Sequence, residues 1–175
     1  MYQYKRTPLD EEEQDILINS CSTHREKLVI YVLLDTDIGV SELASLKTEN
    51  VKWQAGVIEV YGKGGKYGKL SKRRTVPLSP RVKKILEIQF AMANEIGLSV
   101  RTIQRIVRTV AENASIPKRV TPHVLRHTFS VNAIRRGVNL RALQEALGHD
   151  HITTTEIYLN YSGKNIADDF RKMWE

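Results

Sequence analysis

The chain has 175 residues, 41% of them hydrophobic and 27% charged, with a net charge of +7 and a pI near 9.5. That length suits one ordinary domain with a core of its own, and no apolar run approaches the ~20 residues that cross a bilayer, so a membrane span is excluded. The basic balance points to acidic polymers as partners, nucleic acid first.

Residues 8–21 (PLDEEEQDILINSC) read as a first helix, with Pro8 near its start and acids in its first turn. Residues 24–35 (HREKLVIYVLLD) are more apolar and predict a buried helix, followed by a short one from Val40 to Leu46. The pattern then changes. Residues 57–61 (VIEVY) and 73–78 (RRTVPL) alternate and carry β-branched side chains, which predicts two strands. Between them KGGKYGKLSK has glycines suited to a hairpin tip. Helical patterning returns at 80–96 and 99–114, then at 122–136, where Thr121 is the expected N-cap and Pro122 the first helical residue. Further helices are expected at 139–147, 153–160 and 163–173. The expected fold class is mainly α with a small antiparallel β-sheet (α+β), as one domain over 1–175.

The N-terminus, MYQYKRTPLDEEE, has no apolar stretch behind its charges and does not read as a secretory signal. The single cysteine, Cys21, leaves no internal disulfide to form, which suits a reducing, cytoplasmic setting.

The residues that carry chemistry are late in the chain. In His123-Val124-Leu125-Arg126-His127-Thr128-Phe129, His123 and Arg126 share one helical face at i and i+3. A guanidinium fork beside an imidazole is an anion grip suited to phosphate oxygens, and a helix N-terminus favours anions again. Taken alone, the pair reads more readily as a capping His and a solvated Arg. Next come Leu147-Gly148-His149 and Thr153-Thr154-Thr155-Glu156-Ile157-Tyr158. Thr153 and Glu156 have capping-box spacing, so Tyr158 falls in the first turns of a new helix. Alone, Tyr158 reads as an ordinary half-buried aromatic.

Together, H-x-L-R-H-T-F, then L-G-H, then T-T-x-x-Y resembles the tyrosine recombinase (phage integrase) family, on His123, Leu125, Arg126, His127, Thr128 and Phe129, then Leu147, Gly148 and His149, then Thr154, Thr155 and Tyr158. Upstream, Gly62-Lys63-Gly64-Gly65-Lys66 followed by Arg74-Thr75-Val76-Pro77-Leu78 looks like that family's β-hairpin with its catalytic lysine. By this match the lysine is Lys63, with Lys66 the near alternative. Six of the twelve residues 63–74 are basic (Lys63, Lys66, Lys69, Lys72, Arg73 and Arg74), a set that also suits a DNA backbone. The likeness runs from Leu9 to about Tyr161. It covers the family's catalytic domain alone, with no counterpart of the N-terminal DNA-clamping domain.

The resemblance implies the family's catalytic-domain fold and a site-specific recombinase that breaks and rejoins double-stranded DNA. Tyr158 would be the nucleophile, Lys63 the general acid, Arg126 the phosphate grip, and His123 and His149 aids to charge and proton transfer. It implies no cofactor. His149-Asp150-His151 lacks the Cys or carboxylate cluster of a metal site, so no metal is expected either. Residues 162–175 place Ile166, Phe170 and Trp174 on one stripe, which fits docking on a second copy of the chain or folding back onto its own domain.

One position departs from the family pattern T-G-L-R-x-S-E-L. The chain reads Thr36-Asp37-Ile38-Gly39-Val40-Ser41-Glu42-Leu43, so Gly39 stands where the first catalytic arginine is expected and Asp37 where a glycine is. Loss of one oxyanion donor typically costs ~10²–10³ in rate. An impaired recombinase is therefore expected, with a catalytically inactive DNA-binding or partner-binding module as the alternative. Arg25 and Lys47 are the candidate substitutes if the fold brings them in.

Overall fold

Capping chemistry sets the helix starts. In a computed structural model that describes residues 7–61 and 73–147, Asp10 and Thr23 each close a capping box with a glutamate three residues on, and Ser79, Ser99 and Thr121 each accept a hydrogen bond from the first-turn backbone of the helix they open. The helices are α1 (Glu11–Asn19), α2 (His24–Asp35), α3 (Val40–Ala44), α4 (Pro80–Met92), α5 (Val100–Asn113), α6 (Pro122–Arg135) and α7 (Leu140–Leu147). A 3₁₀ turn at Thr48–Asn50 leads into β1 (Val51–Lys52), and β2 (Val57–Tyr61) and β3 (Arg73–Pro77) complete one antiparallel sheet in the order β1-β2-β3. The fold is therefore mainly α with a small antiparallel sheet.

Helix α2 is apolar on most of its circumference because it is central. Leu28, Val29, Ile30, Val32, Leu33 and Leu34 are all buried, and α4, α5 and α6 pack around it. Helix α5 is the opposite case. Ile103, Val107, Val110 and Ala111 face the core, while Arg101, Arg105 and Arg108 stand exposed on the other face. Helix α7 adds a small apolar cluster, Leu143 and Leu147 against Ile134 of α6, and leans on β3.

The sheet has one buried face. Ile58 pairs with Val76 and Val60 with Arg74, so Ile58, Val60, Arg74 and Val76 point the same way, inward. Arg73 and Thr75 alternate to the exposed side.

Several elements differ from the sequence reading, and α3 ends at Ala44 rather than Leu46. Helix α1 begins at Glu11, because Asp10 caps it and Pro8 lies before the cap. Helix α4 stops at Met92 rather than 96. Ala93 is extended, and the chain beyond it pairs with another segment: Thr48 N–H donates to Asn94 O at 3.0 Å, and Lys47 bridges Glu95. The two-residue strand β1 carries too little alternation to be read from sequence. The helices expected at 153–160 and 163–173 lie outside the described residues.

Candidate active site

The loop between α2 and α3 is held rigidly. Thr36 Oγ1 donates to Val32 O at 2.6 Å and accepts from Ile38 N–H at 3.2 Å, and the Ile38 side chain is fully buried. This turns Asp37, 3% exposed, toward α6. There Arg126 donates from Nε to Asp37 Oδ1 at 3.0 Å and from Nη2 to Oδ2 at 2.8 Å, a side-on bidentate ion pair across 89 residues of chain.

Gly39 caps α3 with an extended backbone (φ −77°), and its N–H donates to Glu42 Oε1 at 2.9 Å. A Cβ at Gly39 would lie 3.3 Å from Glu42 Oε1 and 3.5 Å from Arg126 Nη1. The position expected to carry the first arginine thus borders the second one directly. Neither candidate substitute reaches it. Arg25 is exposed in the first turn of α2, eleven residues or ~16 Å of helix before Thr36. Lys47 is paired with Glu95 at 4.0 Å on an exposed edge.

Arg74, expected on the DNA-tracking hairpin, is turned inward by the strand alternation. Its side chain is 10% exposed. It donates to both oxygens of Glu42, to Asp37 O at 2.8 Å, and from Nε to Ala146 O at 3.0 Å in the last turn of α7. A cation at a helix C-terminus satisfies an otherwise unpaired carbonyl and complements the dipole. Arg74 therefore ties together β3, the 37–42 segment and the end of α7. Arg73, by contrast, is exposed and pairs with Glu59 across the sheet.

His123 sits exposed in the first turn of α6, where Thr121 and Pro122 place it, and it lines a groove of about 1000 Å³. The α5 arginines Arg101, Arg105 and Arg108 line the same groove, joined by Lys118 and Arg119 from the α5–α6 loop. Sequence reasoning did not single out this set. Its signal was present, since Arg101, Arg105 and Arg108 recur at i, i+4 and i+7 on a helix whose apolar residues occupy the other face. Lys63, Lys66, Lys69, Lys72, His149 and Tyr158, and the segment 162–175, lie outside the described residues. Among the described residues no group of three or more His, Cys, Asp or Glu is placed to hold a metal, and no helix is long and apolar enough to cross a membrane.

Asp37, Glu42, Arg74 and Arg126 thus form one cluster of ion pairs that joins the α2–α3 loop, β3, α6 and the end of α7. The guanidinium fork of Arg126 holds a carboxylate of the same chain.

Comparison with known proteins bears on the family and the fold. The model of the phage integrase family matches residues 8–164. Tyrosine recombinase XerA of Pyrococcus furiosus is 34% identical over an alignment covering 82% of this chain and 53% of XerA. Tyrosine recombinase XerD of Staphylococcus aureus is 33% identical, covering 90% of this chain and 56% of XerD. The chain thus spans about half the length of the curated relatives it matches. Among solved structures, that of a XerA recombinase superposes with a TM-score of 0.76 at 32% identity, over 96% of this chain and 64% of that one. XerH site-specific recombinase bound to its palindromic difH substrate in a post-cleavage complex superposes with a TM-score of 0.75 over 99% of this chain and 56% of that one. At 19% identity, the latter likeness speaks for the fold alone.

Proposed function

The chain belongs to the phage integrase family of tyrosine recombinases, and from that premise we propose that it is the catalytic domain of a site-specific DNA recombinase or integrase whose cleavage step is impaired by Gly39. The observation that carries the reading is the convergence at one point. Position 39, Arg126 and Arg74 meet at the buried face of the sheet, and His123 of the same helix opens onto a groove lined by five cationic side chains.

The chemistry follows from the residue types. The hydroxyl of Tyr158 attacks the scissile phosphorus, a P–O bond to tyrosine forms and the P–O5′ bond breaks, leaving a 3′-phosphotyrosine. Lys63 gives a proton to the departing 5′-oxygen, and His123 and His149 assist proton transfer, which a phenol with a free pKa near ~10 needs. Negative charge grows on the non-bridging oxygens, where fixed cations lower the barrier. Because the covalent link conserves the bond energy, the 5′-hydroxyl of a second strand reverses the step. No cofactor enters this scheme.

Double-stranded DNA is the proposed partner. The groove cations supply the sequence-independent part of binding, with Lys63, Lys66, Lys69, Lys72 and Arg73 of the hairpin as further backbone contacts. Self-association through 162–175 and a cytoplasmic location on DNA belong to the same proposal.

A second reading, a recombinase-like module that binds DNA or partners without cutting, is favoured by the Asp37–Arg126 pair. Incubation with fragmented duplex DNA of the source genome separates the two, scored by gel retardation and, on a denaturing gel, by adducts absent from Tyr158→Phe. Retardation with weak adducts supports the impaired domain, and retardation with no adducts supports the module. Adducts at the level of an intact recombinase would remove the impairment, and no retardation would remove the DNA reading.

A further inference from the structure

We propose that Asp37 is a built-in anion that occupies the phosphate-binding edge of Arg126, so that residue 37, as much as the missing arginine at 39, decides whether this site accepts a phosphodiester. The proposal rests on the reading of Arg126 as a phosphate grip.

The geometry is specific. Nε and Nη2 form the edge of a guanidinium that meets two oxygens of a carboxylate or a phosphate side by side. Both are used here, at 3.0 and 2.8 Å, by the two oxygens of Asp37. A phosphate oxygen approaching this edge meets one already bonded to an anion of the same sign.

The carboxylate is also held in place. Thr36, the residue before Asp37, is tied to α2, the fully buried Ile38 follows, and the carbonyl of Asp37 accepts from Arg74. Asp37 therefore cannot swing out to make room without dragging two buried neighbours. Displacing it by phosphate would take its bidentate partner from a carboxylate only 3% exposed, which is strongly unfavourable.

Charge accounting agrees. The two carboxylates Asp37 and Glu42 balance the two guanidiniums Arg74 and Arg126 inside the cluster. A site built to attract a phosphodiester carries surplus positive charge, and these four residues carry none.

Restoring only the arginine at 39 is then insufficient. A Gly39→Arg side chain would start 3.5 Å from Arg126 Nη1, beside a guanidinium whose Nε–Nη2 edge is still filled by Asp37. Opening the site requires Asp37 to go as well.

The test uses the full chain, ¹⁵N-labelled, titrated with inorganic phosphate while the Arg126 Nε–Hε resonance is followed, with Arg126→Lys identifying that resonance. The chain as it stands is expected to show no saturable shift. Asp37→Asn, which keeps the shape and removes the charge, is expected to gain one, with phosphate affinity raised about tenfold or more, as befits freeing a charge-assisted bond. Asp37→Gly serves if Asn disturbs folding. Saturable phosphate binding at Arg126 in the unaltered chain, or a folded Asp37 variant that binds no better, overturns the proposal. Because the readout uses neither DNA nor Tyr158, the inference and the DNA reading fail separately: a chain that retards duplex DNA yet already binds phosphate at Arg126 refutes only the role of Asp37, and a phosphate-binding Asp37→Asn that ignores duplex DNA refutes only the DNA reading.

Discussion

Gly39 and Arg126 are 87 residues apart in sequence, yet a Cβ on the first would touch Nη1 of the second at 3.5 Å. The backbone of Gly39 is extended, at φ −77°, so glycine's access to left-handed conformations has no part in its presence. What the position lacks is a side chain, and the space beside it is bounded by Glu42 and Arg126.

Gly39→Arg is accordingly expected to fold. The one tight contact is with Glu42 Oε1 at 3.3 Å, which a shift of a few tenths of an ångström in that carboxylate relieves. Urea unfolding should place the variant within about 1 kcal/mol of the unaltered chain, the range of substitutions that create neither a cavity nor a buried unpaired charge. A loss above ~2 kcal/mol would mean that the carboxylate of Glu42, held by Arg74 and the Gly39 N–H, does not yield.

Arg126 should matter for stability as well as for chemistry. Arg126→Ala removes the bidentate partner of Asp37, which is 3% exposed, and removing one partner of a buried pair typically costs ~3–5 kcal/mol. Adding Asp37→Ala should recover part of that loss, because the carboxylate that lost this partner is then gone too. Equal and additive losses from the two single changes in urea unfolding would deny the coupling.

The groove cations and Arg74 should respond differently to salt. Arg105→Ala removes an exposed cation of the groove, and the slope of log K against log salt on duplex DNA should fall by about 1. Arg74→Ala removes a cation that faces Glu42, Asp37 O and Ala146 O. It should lower the urea midpoint and leave the salt slope unchanged. Arg74→Lys should rescue little, since one ammonium cannot replace a fork bonded on three sides. A reduced salt slope in a fully folded Arg74→Ala would return this residue to the DNA-contacting set.

Cys21 should be inert in the native state. Burial, reinforced by the Glu26 carboxylate and opposed by Lys27 and Arg81, pushes its thiol up to about 11 from an ordinary 9.0. The folded chain thus keeps the proton where the unfolded chain loses it. The resulting stabilisation is full below pH 9 and is lost as pH rises toward 11. An aromatic disulfide reagent at pH 8 should label Cys21 at the rate of global unfolding. Immediate labelling of the folded chain would contradict the burial.

Much of this was legible in the sequence, for local reasons. Thr121 and Pro122 mark the start of α6 by cap and N1 chemistry, so His123 and Arg126 fall on one face of it without tertiary information. Within the run 24–35, residues 28–34 are apolar on nearly every side, as suits a central helix. The illegible parts depend on distant partners. Helix α4 ends early because 94–95 pairs with 47–48. Asp37 reads in sequence as a foreign charge near a phosphate, and only the fold supplies the guanidinium that compensates it. Arg74 belongs by composition to a basic hairpin, whereas strand alternation sends it to the same side as Val76 and away from Arg73. The arginine row of α5 was readable at i, i+4 and i+7, but a helix with a charged face is usually just a solvated one, and only the groove it shares with His123 distinguishes it.

The most direct test of the central claim, a recombinase site silenced at positions 37 and 39, is the yield of Tyr158-linked protein–DNA adducts from four versions of the chain: as it stands, Gly39→Arg, Asp37→Gly, and both together, on fragmented source-genome DNA with Tyr158→Phe as the blank. The account predicts adducts from the double replacement, well above those of either single change and of the chain as it stands. Adducts of equal yield from the unaltered chain would contradict it, for then the site works with its phosphate fork filled and its first arginine absent.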